Sequence, residues 1–272
     1  MNPTHGVLPY SVPAGCAVAI DQSPLTETWP GLAIAAHRIG VDLDAEALAL
    51  FERYRDLLLL RNAQFNLTAI RDPAVIEEKL FLDALAILPA LDAAIASSTR
   101  GARDRVHLVD VGSGGGFPGL PLKIARPHLD LTLIDATAKK TAFLNEVIAT
   151  LGLDYACAVH GRAEDLGQSP EFRRRFNIAT ARAVSSLPVL FEYVIPFLLV
   201  GGTALLPKGL QIDEELQAGR RAAAILGAEI VSADCLPVEG TRLIVAAKER
   251  PTSAAYPRRT GLPSRTPLGE GT

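Results

Sequence analysis

A short apolar strand that runs into a glycine-rich turn constrains this chain more than any other part of its sequence. The segment from Asp110 to Gly119 reads Asp-Val-Gly-Ser-Gly-Gly-Gly-Phe-Pro-Gly, so half of it is glycine. Glycine tolerates positive φ and lets the backbone approach a ligand closely. A strand, a glycine turn and a helix in that order form a cofactor-binding device. We therefore expect Gly112 and Gly114 to contact a cofactor beyond the carboxyl end of that strand.

From residue 106 the sequence alternates between short apolar segments and amphipathic helices. This alternation predicts an open, mostly parallel sheet with helices on both faces. No helical segment separates the last two strands, and Gly240 lies in their short connection, so they should form an antiparallel hairpin. The predicted strands are 106–111, 131–135, 155–160, 177–181, 202–206, 229–236 and 242–248. The predicted helices are 118–126, 138–151, 187–199 and 213–226.

The N-terminal third of the chain has a different pattern. Residues 1–35 are rich in proline, glycine and small side chains, which is typical of a loosely ordered extension. After Asp44, a helix N-cap residue, apolar side chains recur every three or four positions and predict an amphipathic helix. Asp72-Pro73 begins a second helix, which Pro89 should end or kink. We divide the chain into the extension 1–35, a helical cap 36–100, a cofactor-binding domain 101–250 and a basic tail 251–272.

The glycine turn fits two kinds of cofactor. Gly114, Gly116 and Gly119 match the GxGxxG dinucleotide fingerprint. Gly112, Gly114 and Gly116 equally match the GxGxG form that is common in S-adenosylmethionine enzymes. Asp135 closes the second strand, where a carboxylate can accept hydrogen bonds from the ribose hydroxyls of either cofactor. The turn alone leaves both cofactors open.

Three further features favour S-adenosylmethionine. Glu164 follows the third strand, where methyltransferases commonly contact adenine, and Arg182 ends the fourth. The terminal hairpin is typical of methyltransferase sheets and not of dehydrogenases. An NAD-dependent dehydrogenase remains the alternative, although the sequence has no catalytic Tyr-x-x-x-Lys. We predict an α/β, Rossmann-like class I methyltransferase fold with a seven-stranded, mostly parallel sheet and an N-terminal helical cap.

A series of short motifs runs from about residue 45 to 268. The motifs are Asn66–Ile70, Asp110–Gly119, Arg126-Pro127, Lys139–Leu144, Arg182-Ala183, Lys208-Gly209, Tyr256–Arg259, Pro263 and Pro267-Leu268. Each motif is weak alone, but their order and intervals together are specific. In these motifs the sequence resembles one known family, the small-subunit ribosomal RNA guanine-N7 methyltransferases G, also called glucose-inhibited division protein B.

The resemblance implies methyl transfer from S-adenosylmethionine to N7 of a guanosine in the 530 loop of 16S ribosomal RNA, guanosine 527 by conventional numbering. By position, it also implies which residues contact the cofactor. Gly112 and Phe117 would contact it from the turn, and Asp135, Ala136 and Thr137 would line its ribose side. Ala163 and Glu164 would line its adenine side, and Arg182 would lie near its reactive end. Leu80 and Ala84 stand where the family often has His and Ser, so this helix face lacks those two polar side chains.

The chemistry of guanine N7 sets what the site residues must do. N7 carries a free lone pair at neutral pH, so no general base is needed. We expect Arg182 and Lys208 to position the guanine or its phosphate rather than to exchange protons. The target should be an unstacked loop base, because a duplex hides N7 in a narrow groove. The tail arginines Arg258, Arg259 and Arg265 would then bind the RNA backbone.

Composition bounds the remaining expectations. A net charge of −3 argues mildly against binding to nucleic acid. Local clusters of basic residues are therefore more informative than the net charge. The cysteines are far apart, so no metal site or disulfide is expected, and Cys157 and Cys235 should be small buried residues. We expect no apolar stretch to approach the ~20 residues of a membrane span. We expect a cytoplasmic monomer that acts on a ribosomal particle; a small-molecule methyltransferase and a non-catalytic RNA-binding relative are the alternatives.

Overall fold

The computed structural model describes residues 30–64, 66–98, 105–182 and 185–269. The chain divides into two units, Met1–Pro30 and Gly31–Thr272, and all the elements below belong to the second. Residues 1–29 of the predicted extension lie outside the described residues. A helix begins at Leu32, within the last residues of the predicted extension 1–35.

Seven strands form one sheet. They are β1 (His107–Val111), β2 (Asp130–Asp135), β3 (Ala156–His160), β4 (Phe176–Thr180), β5 (Leu198–Gly209), β6 (Ala228–Cys235) and β7 (Thr241–Lys248). Their order across the sheet is β3-β2-β1-β4-β5-β7-β6. Strands β1 to β5 pair in parallel, whereas β7 is antiparallel to β5 and to β6. The predicted sheet and its C-terminal hairpin are confirmed.

The strand order reverses at β1, which lies between β2 and β4. In open α/β sheets, ligands bind beyond the carboxyl ends of the strands at such a reversal. The glycine turn that follows β1 therefore lies at the expected binding position. β5 begins before the predicted residue 202, because Leu198 pairs with Phe176 across a register shift.

Helices cover both faces of the sheet and build the cap. They are α1 (Leu32–Arg38), α2 (Ala45–Asn62), α3 (Pro73–Ile76), α4 (Asp83–Leu85), α5 (Leu88–Ser98), α6 (Gly119–Ala125), α7 (Ala138–Leu151), α8 (Ala163–Leu166), α9 (Leu187–Val194), α10 (Asp213–Leu226) and α11 (Leu262–Arg265). A π-helical segment, Glu77–Leu82, joins α3 to α4. Buried side chains of successive residues point to opposite faces of β1, Leu108 toward the cap and Val109 toward α9 and α10.

The cap helices begin where their capping residues predict. The Asp44 carboxylate accepts a hydrogen bond from the Ala47 N–H at 2.7 Å, and the Asp72 carboxylate accepts one from the Ala74 N–H at 2.8 Å. These side chains satisfy N–H groups that a helix leaves unpaired at its start. Helix α2 buries one stripe of side chains at intervals of three and four. The stripe consists of Ala47, Phe51, Tyr54, Leu58 and Asn62.

The second cap segment, Pro73–Ser98, is a largely apolar helical segment of 26 residues. Its helix is interrupted just before Pro89, which has no N–H to donate within a helix. By length and composition alone the segment could cross a membrane, but 56% of its most apolar window is buried in the protein. The expectation that no apolar stretch approaches a membrane span in length is therefore wrong for this segment.

Cys157 and Cys235 are exposed, so the expectation that they are buried is wrong. The reason lies in the strand order. Cys157 lies on β3 and Cys235 on β6, and these are the two outermost strands of the sheet. An edge strand has a neighbour on one side only, and its residues pack less completely than those of a central strand. Sequence periodicity does not reveal which strands are at the edges.

Candidate active site

The turn between β1 and α6 has the backbone conformation that its glycines predict. Gly112, Gly114 and Gly116 have φ of 74°, 58° and 103°, all in the region that favours glycine. Asp135, at the end of β2, accepts a hydrogen bond from the Gly114 N–H at 2.9 Å and one from the Thr137 N–H at 2.8 Å. The carboxylate thus joins the glycine turn to the start of α7, and each of its oxygens retains a lone pair for a ligand hydroxyl.

The glycines of the turn serve two different purposes. A Cβ at Gly116 would lie 2.6 Å from the Tyr54 hydroxyl oxygen, and one at Gly119 would lie 2.8 Å from the Asp110 carboxylate. At Gly116 and Gly119 the neighbouring side chains of the protein leave no room for a Cβ, so packing alone requires glycine there. A Cβ at Gly114 would meet nothing closer than 3.9 Å. Gly114 therefore borders open space, as a backbone that is approached by a cofactor requires.

Asp110, near the end of β1, is a fully buried carboxyl group. Its Oδ2 accepts a hydrogen bond from the Gly119 N–H at 3.0 Å. Its Oδ1 is the one buried side-chain oxygen or nitrogen without a hydrogen-bond partner in the part of the chain that the structure describes. Burial raises the pKa of Asp110 to about 7, although the Gly119 N–H and the Arg182 charge oppose that shift. A ligand with N–H or O–H donors, such as S-adenosylmethionine, would supply the missing partner.

The raised pKa of Asp110 predicts how stability depends on pH. The folded state keeps this proton up to about pH 7, whereas an unperturbed aspartate releases it near 3.8. Because the folded state binds more protons, the group's contribution to the free energy of unfolding should fall as pH rises between those values. Asp110→Asn cannot titrate there, so its stability relative to the unaltered protein should improve from pH 5 to pH 8. Denaturant unfolding without ligand measures this difference; a difference that does not change with pH would contradict the assignment.

An aromatic cluster joins the cap to the glycine turn. Tyr54 of α2 stacks on Phe81 and on Phe117, with ring centroids 5.3 Å and 5.5 Å apart, and its hydroxyl donates to the Gly115 carbonyl. Burial, and then the Asp110 charge, raise the pKa of Tyr54 well above its ordinary value, so the phenol stays protonated. The predicted cofactor residue Phe117 is thus held from the cap side.

Arg182 follows β4 and lies against this cluster. Its guanidinium carbon is 5.3 Å from the Phe117 ring centroid, within the range of a cation–π contact. It donates a hydrogen bond to the Lys79 carbonyl at 3.2 Å, and it lies 3.9 Å from the Asp83 carboxylate. Burial lowers the pKa of Arg182, and burial likewise raises the pKa of Asp83 to about 6. A largely buried cation therefore lies beside the glycine turn, as the strand-end position of Arg182 predicted.

Tyr54 and Asp83 were not among the predicted site residues. Tyr54 reads as one more apolar position of the α2 stripe, and a helical aspartate such as Asp83 reads as a surface or capping residue. The acceptor for Arg182 comes from the π-helical segment, and such segments are frequent at functional sites. Leu80 and Ala84, where the sequence departs from the family motif, are both buried in the core. At these positions apolar packing replaces polar side chains.

The remaining predicted cofactor residues surround the ends of β2 and β3. Ala136 and Thr137 are exposed, and Ala163 is half-buried at the start of α8. Glu164 is buried, and its Oε1 accepts a hydrogen bond from the Gly261 N–H of the C-terminal segment at 3.0 Å. The structure thus brings the C-terminal segment to the predicted adenine side of the site, a contact for which the sequence gives no signal.

Lys208, on β5, is already paired. Its ammonium lies 3.0 Å from the Glu215 carboxylate and donates to the Ser185 carbonyl at 3.0 Å. Glu215 also accepts from the Leu187 N–H at 2.6 Å, at the start of α9. Lys208 therefore holds the Ser185 carbonyl next to the start of α9, and its charge is balanced by a carboxylate.

The tail arginines divide into two groups. The guanidinium of Arg258 forms a bidentate ion pair with Glu192, at 2.9 Å and 2.6 Å, and only 20% of its side chain is exposed. An arginine held in this way is not available as a free cation for RNA, which corrects the expectation for Arg258. Arg259 and Arg265 are exposed and remain candidates.

The fold and the site define a Rossmann-like methyltransferase that uses S-adenosylmethionine. A mutant of MtNAS, whose crystal structure holds S-adenosylmethionine, superposes with a TM-score of 0.50 at 15% identity, over 81% of this chain and 84% of that chain. This likeness concerns the fold alone. The likeness confirms the predicted fold class, and membership of the methyltransferase family described next confirms the predicted cofactor.

Sequence comparison places the chain within this class. The sequence model described as rRNA small subunit methyltransferase G matches residues 47–244. A Leuconostoc citreum protein named Ribosomal RNA small subunit methyltransferase G is 42% identical over 86% of this chain and 96% of its own length. An Acetivibrio thermocellus protein of the same name is 42% identical over 86% and 93%. The chain belongs to the rRNA small subunit methyltransferase G family, as its motifs predicted.

Proposed function

We propose that this protein transfers a methyl group from S-adenosylmethionine to N7 of a guanosine in the 530 loop of 16S ribosomal RNA, guanosine 527 by conventional numbering. The names of the relatives support small-subunit ribosomal RNA as the substrate. The observation that carries the choice of base is the buried Arg182 guanidinium beside Phe117, next to the glycine turn.

A guanidinium at this position suits guanine. Guanine presents two hydrogen-bond acceptors, O6 and N7, on one edge, whereas adenine has a donor in place of O6. If Arg182 donates to O6, the lone pair of N7 stays free for the methyl group. The same donor would find no acceptor at the corresponding position of adenine. Arg182 would thus both position the base and select it.

The reaction depends on alignment of the reacting groups more than on proton transfer. When bound, S-adenosylmethionine supplies a methyl group already activated by its sulfonium, which leaves as a neutral thioether. N7 carries no proton, so neither Asp83 nor Asp110 has to act as a base. Both carboxyl groups instead raise the pKa of Arg182 against the lowering effect of burial, and so favour its charged form. Alignment of reacting groups can supply ~7–11 kcal/mol of the barrier reduction.

Tyr54, Phe81 and Phe117 would exclude water from the reacting groups, because their rings pack against one another between the cap and the turn. Asp135 and the turn would bind the ribose, and Ala163 and Glu164 the adenine. We propose that Lys208 fixes Ser185 at the start of α9, since Glu215 already balances its charge.

We further propose that Arg259 and Arg265 contact RNA phosphates. Replacing both with alanine should make the affinity for RNA less dependent on salt. Each lost phosphate contact lowers the slope of log affinity against log salt by about 0.7 on single-stranded RNA, so the pair should lower it by about 1.4. Filter binding between 50 and 300 mM salt measures the slope, with Arg38→Ala, an exposed arginine of α1, as the control. An unchanged slope would remove these two residues from the RNA surface.

The cellular setting of the proposal is a cytoplasmic monomer that acts on a ribosomal particle. Mass spectrometry of 16S ribosomal RNA from cells with and without the gene tests the proposed function. The proposal expects 7-methylguanosine in the 530-loop fragment, lost on deletion and restored by the intact gene. An unchanged fragment after deletion would refute this substrate. Loss of a methyl group from another base instead would show that the protein methylates that base.

A further inference from the structure

The C-terminal segment after β7 is bound along the folded domain rather than extended from it. Lys248, which is buried, donates to the Thr252 hydroxyl at 2.6 Å, and that hydroxyl donates to the Leu226 carbonyl at 2.6 Å. Arg173 donates to the carbonyls of Thr252, Ser253 and Tyr256 at 3.1, 3.0 and 2.6 Å. The start of the tail therefore has its backbone acceptors satisfied by the domain.

The ion pair between Glu192 and Arg258 fixes the middle of the tail. Glu192 lies on α9 and is completely buried, and a buried carboxylate requires a partner. Arg258 supplies its guanidinium and also its backbone N–H, which donates to Glu192 Oε1 at 2.7 Å. Charge-assisted bidentate pairs of this kind are strong and directional. The position of residues near Arg258 is therefore set by α9.

The next residues of the tail contact both acidic residues of α8. The Thr260 hydroxyl donates to the Asp165 carboxylate at 2.9 Å, and the Gly261 N–H donates to Glu164 Oε1 at 3.0 Å. Further along, the Tyr193 and Ser264 hydroxyls lie 2.9 Å apart. The hydrogen bond from Gly261 fixes one oxygen of Glu164 and leaves the other for a ligand.

We infer that the tail forms the outer wall of the adenine side of the cofactor site, and that Arg258 is a positioning residue that acts through Gly261 and Glu164. This inference rests on the proposed placement of adenine beside Glu164. The Gly261 hydrogen bond holds Glu164 in the orientation in which it would meet adenine, so we expect tail docking to strengthen cofactor binding. Cofactor binding should then strengthen tail docking by the same factor. The basic tail is thus a part of the cofactor site, in addition to any contact that Arg259 and Arg265 make with RNA.

The experiment is a calorimetric titration of the full chain with S-adenosylhomocysteine. Arg258→Ala should weaken binding about tenfold, within the usual range of coupling between sites. It should raise the KM for S-adenosylmethionine and leave kcat at saturating cofactor nearly unchanged, and Arg258→Lys should restore part of the affinity. The matched control is Arg126→Ala, which removes another bidentate pair, with Asp92, at the end of α6 remote from the turn. It should bind as the unaltered protein does.

Arg258→Ala leaves a buried carboxylate without its partner, so the fold of this variant is checked by thermal unfolding. If it does not fold, tryptic cleavage after the exposed Arg259 of the unaltered protein gives the answer. Saturating S-adenosylhomocysteine should slow this cleavage about tenfold, while cleavage after Arg38 serves as the reference.

Equal affinity of folded Arg258→Ala and Arg126→Ala would overturn the inference, and so would a tail cleaved equally fast with and without bound S-adenosylhomocysteine. Failure of the proposed function looks different. In that case the unaltered protein would bind S-adenosylhomocysteine with the coupling described, and yet no guanosine N7 would be methylated.

Discussion

Arg182→Ala should lower kcat/KM for methyl transfer about 100- to 1,000-fold, the usual effect of removing one preorganised donor from an active site. The reason is that Arg182 is held before the substrate arrives. Its guanidinium lies over Phe117, is hydrogen-bonded to the Lys79 carbonyl and lies near Asp83. Single-turnover transfer of a labelled methyl group to small subunits measures the rate, and calorimetry measures cofactor affinity separately.

Arg182→Lys is the informative companion to this variant. It keeps a positive charge that interacts with Asp83 and Asp110. It loses the planar group that lies over Phe117 and can donate in two directions. We expect a rate between those of the unaltered protein and Arg182→Ala, with stability close to that of the unaltered protein. Undiminished transfer by a folded Arg182→Ala variant would show that Arg182 merely pairs with a nearby acid.

Gly116→Ala should destabilise the protein by about 2–5 kcal/mol, the sum of left-handed backbone strain and overpacking. At Gly116 φ is 103°, and a Cβ would collide with the Tyr54 hydroxyl and the Leu120 side chain. This collision would separate α2 of the cap from the turn. Denaturant unfolding in the absence of cofactor measures the loss.

Gly114→Ala is the matched control in the same turn. Its φ is 58°, and a Cβ there would meet nothing closer than the Gly112 carbonyl oxygen at 3.9 Å. The backbone strain of about 1–2 kcal/mol should therefore remain, without the collision. The open space is where the cofactor should lie, so this variant should lose affinity for S-adenosylmethionine more than it loses stability. Equal stability losses in the two variants would contradict the distinction between packing and cofactor glycines.

Local patterns in the sequence were sufficient for most of the fold. The caps at Asp44 and Asp72, the glycine turn and the terminal hairpin each depend on neighbouring residues, and each was predicted. The same holds for the backbone of the site, because the strand ends fix where Asp135 and Arg182 emerge.

Contacts between distant parts of the chain were not predictable from the sequence. Nothing near Arg258 indicates that Glu192 is its partner, because the pair depends on how the tail crosses α9. Lys79 accepts from Arg182 through its backbone carbonyl, which carries no side-chain signal. Cys157 and Cys235 are exposed because their strands are at the sheet edges, and edge position follows from topology rather than from composition.

The tail shows how a charge pattern can mislead. Arg258 and Arg259 are adjacent in sequence and looked equivalent as RNA contacts. In the structure Arg258 neutralises a buried carboxylate, and Arg259 is exposed. Deleting the whole tail would therefore remove two features at once, the wall beside Glu164 and the exposed cations. Single substitutions are needed to separate cofactor binding from RNA binding.

The most direct test of the central claim uses small subunits reconstituted with a single 7-deazaguanosine in the 530 loop, in which carbon replaces N7. Labelled S-adenosylmethionine and the purified protein are incubated with these particles and with matched guanosine particles. Our account predicts methyl incorporation into the guanosine particles and none into the 7-deaza particles, with similar binding of both. Equal incorporation into both would contradict transfer to N7.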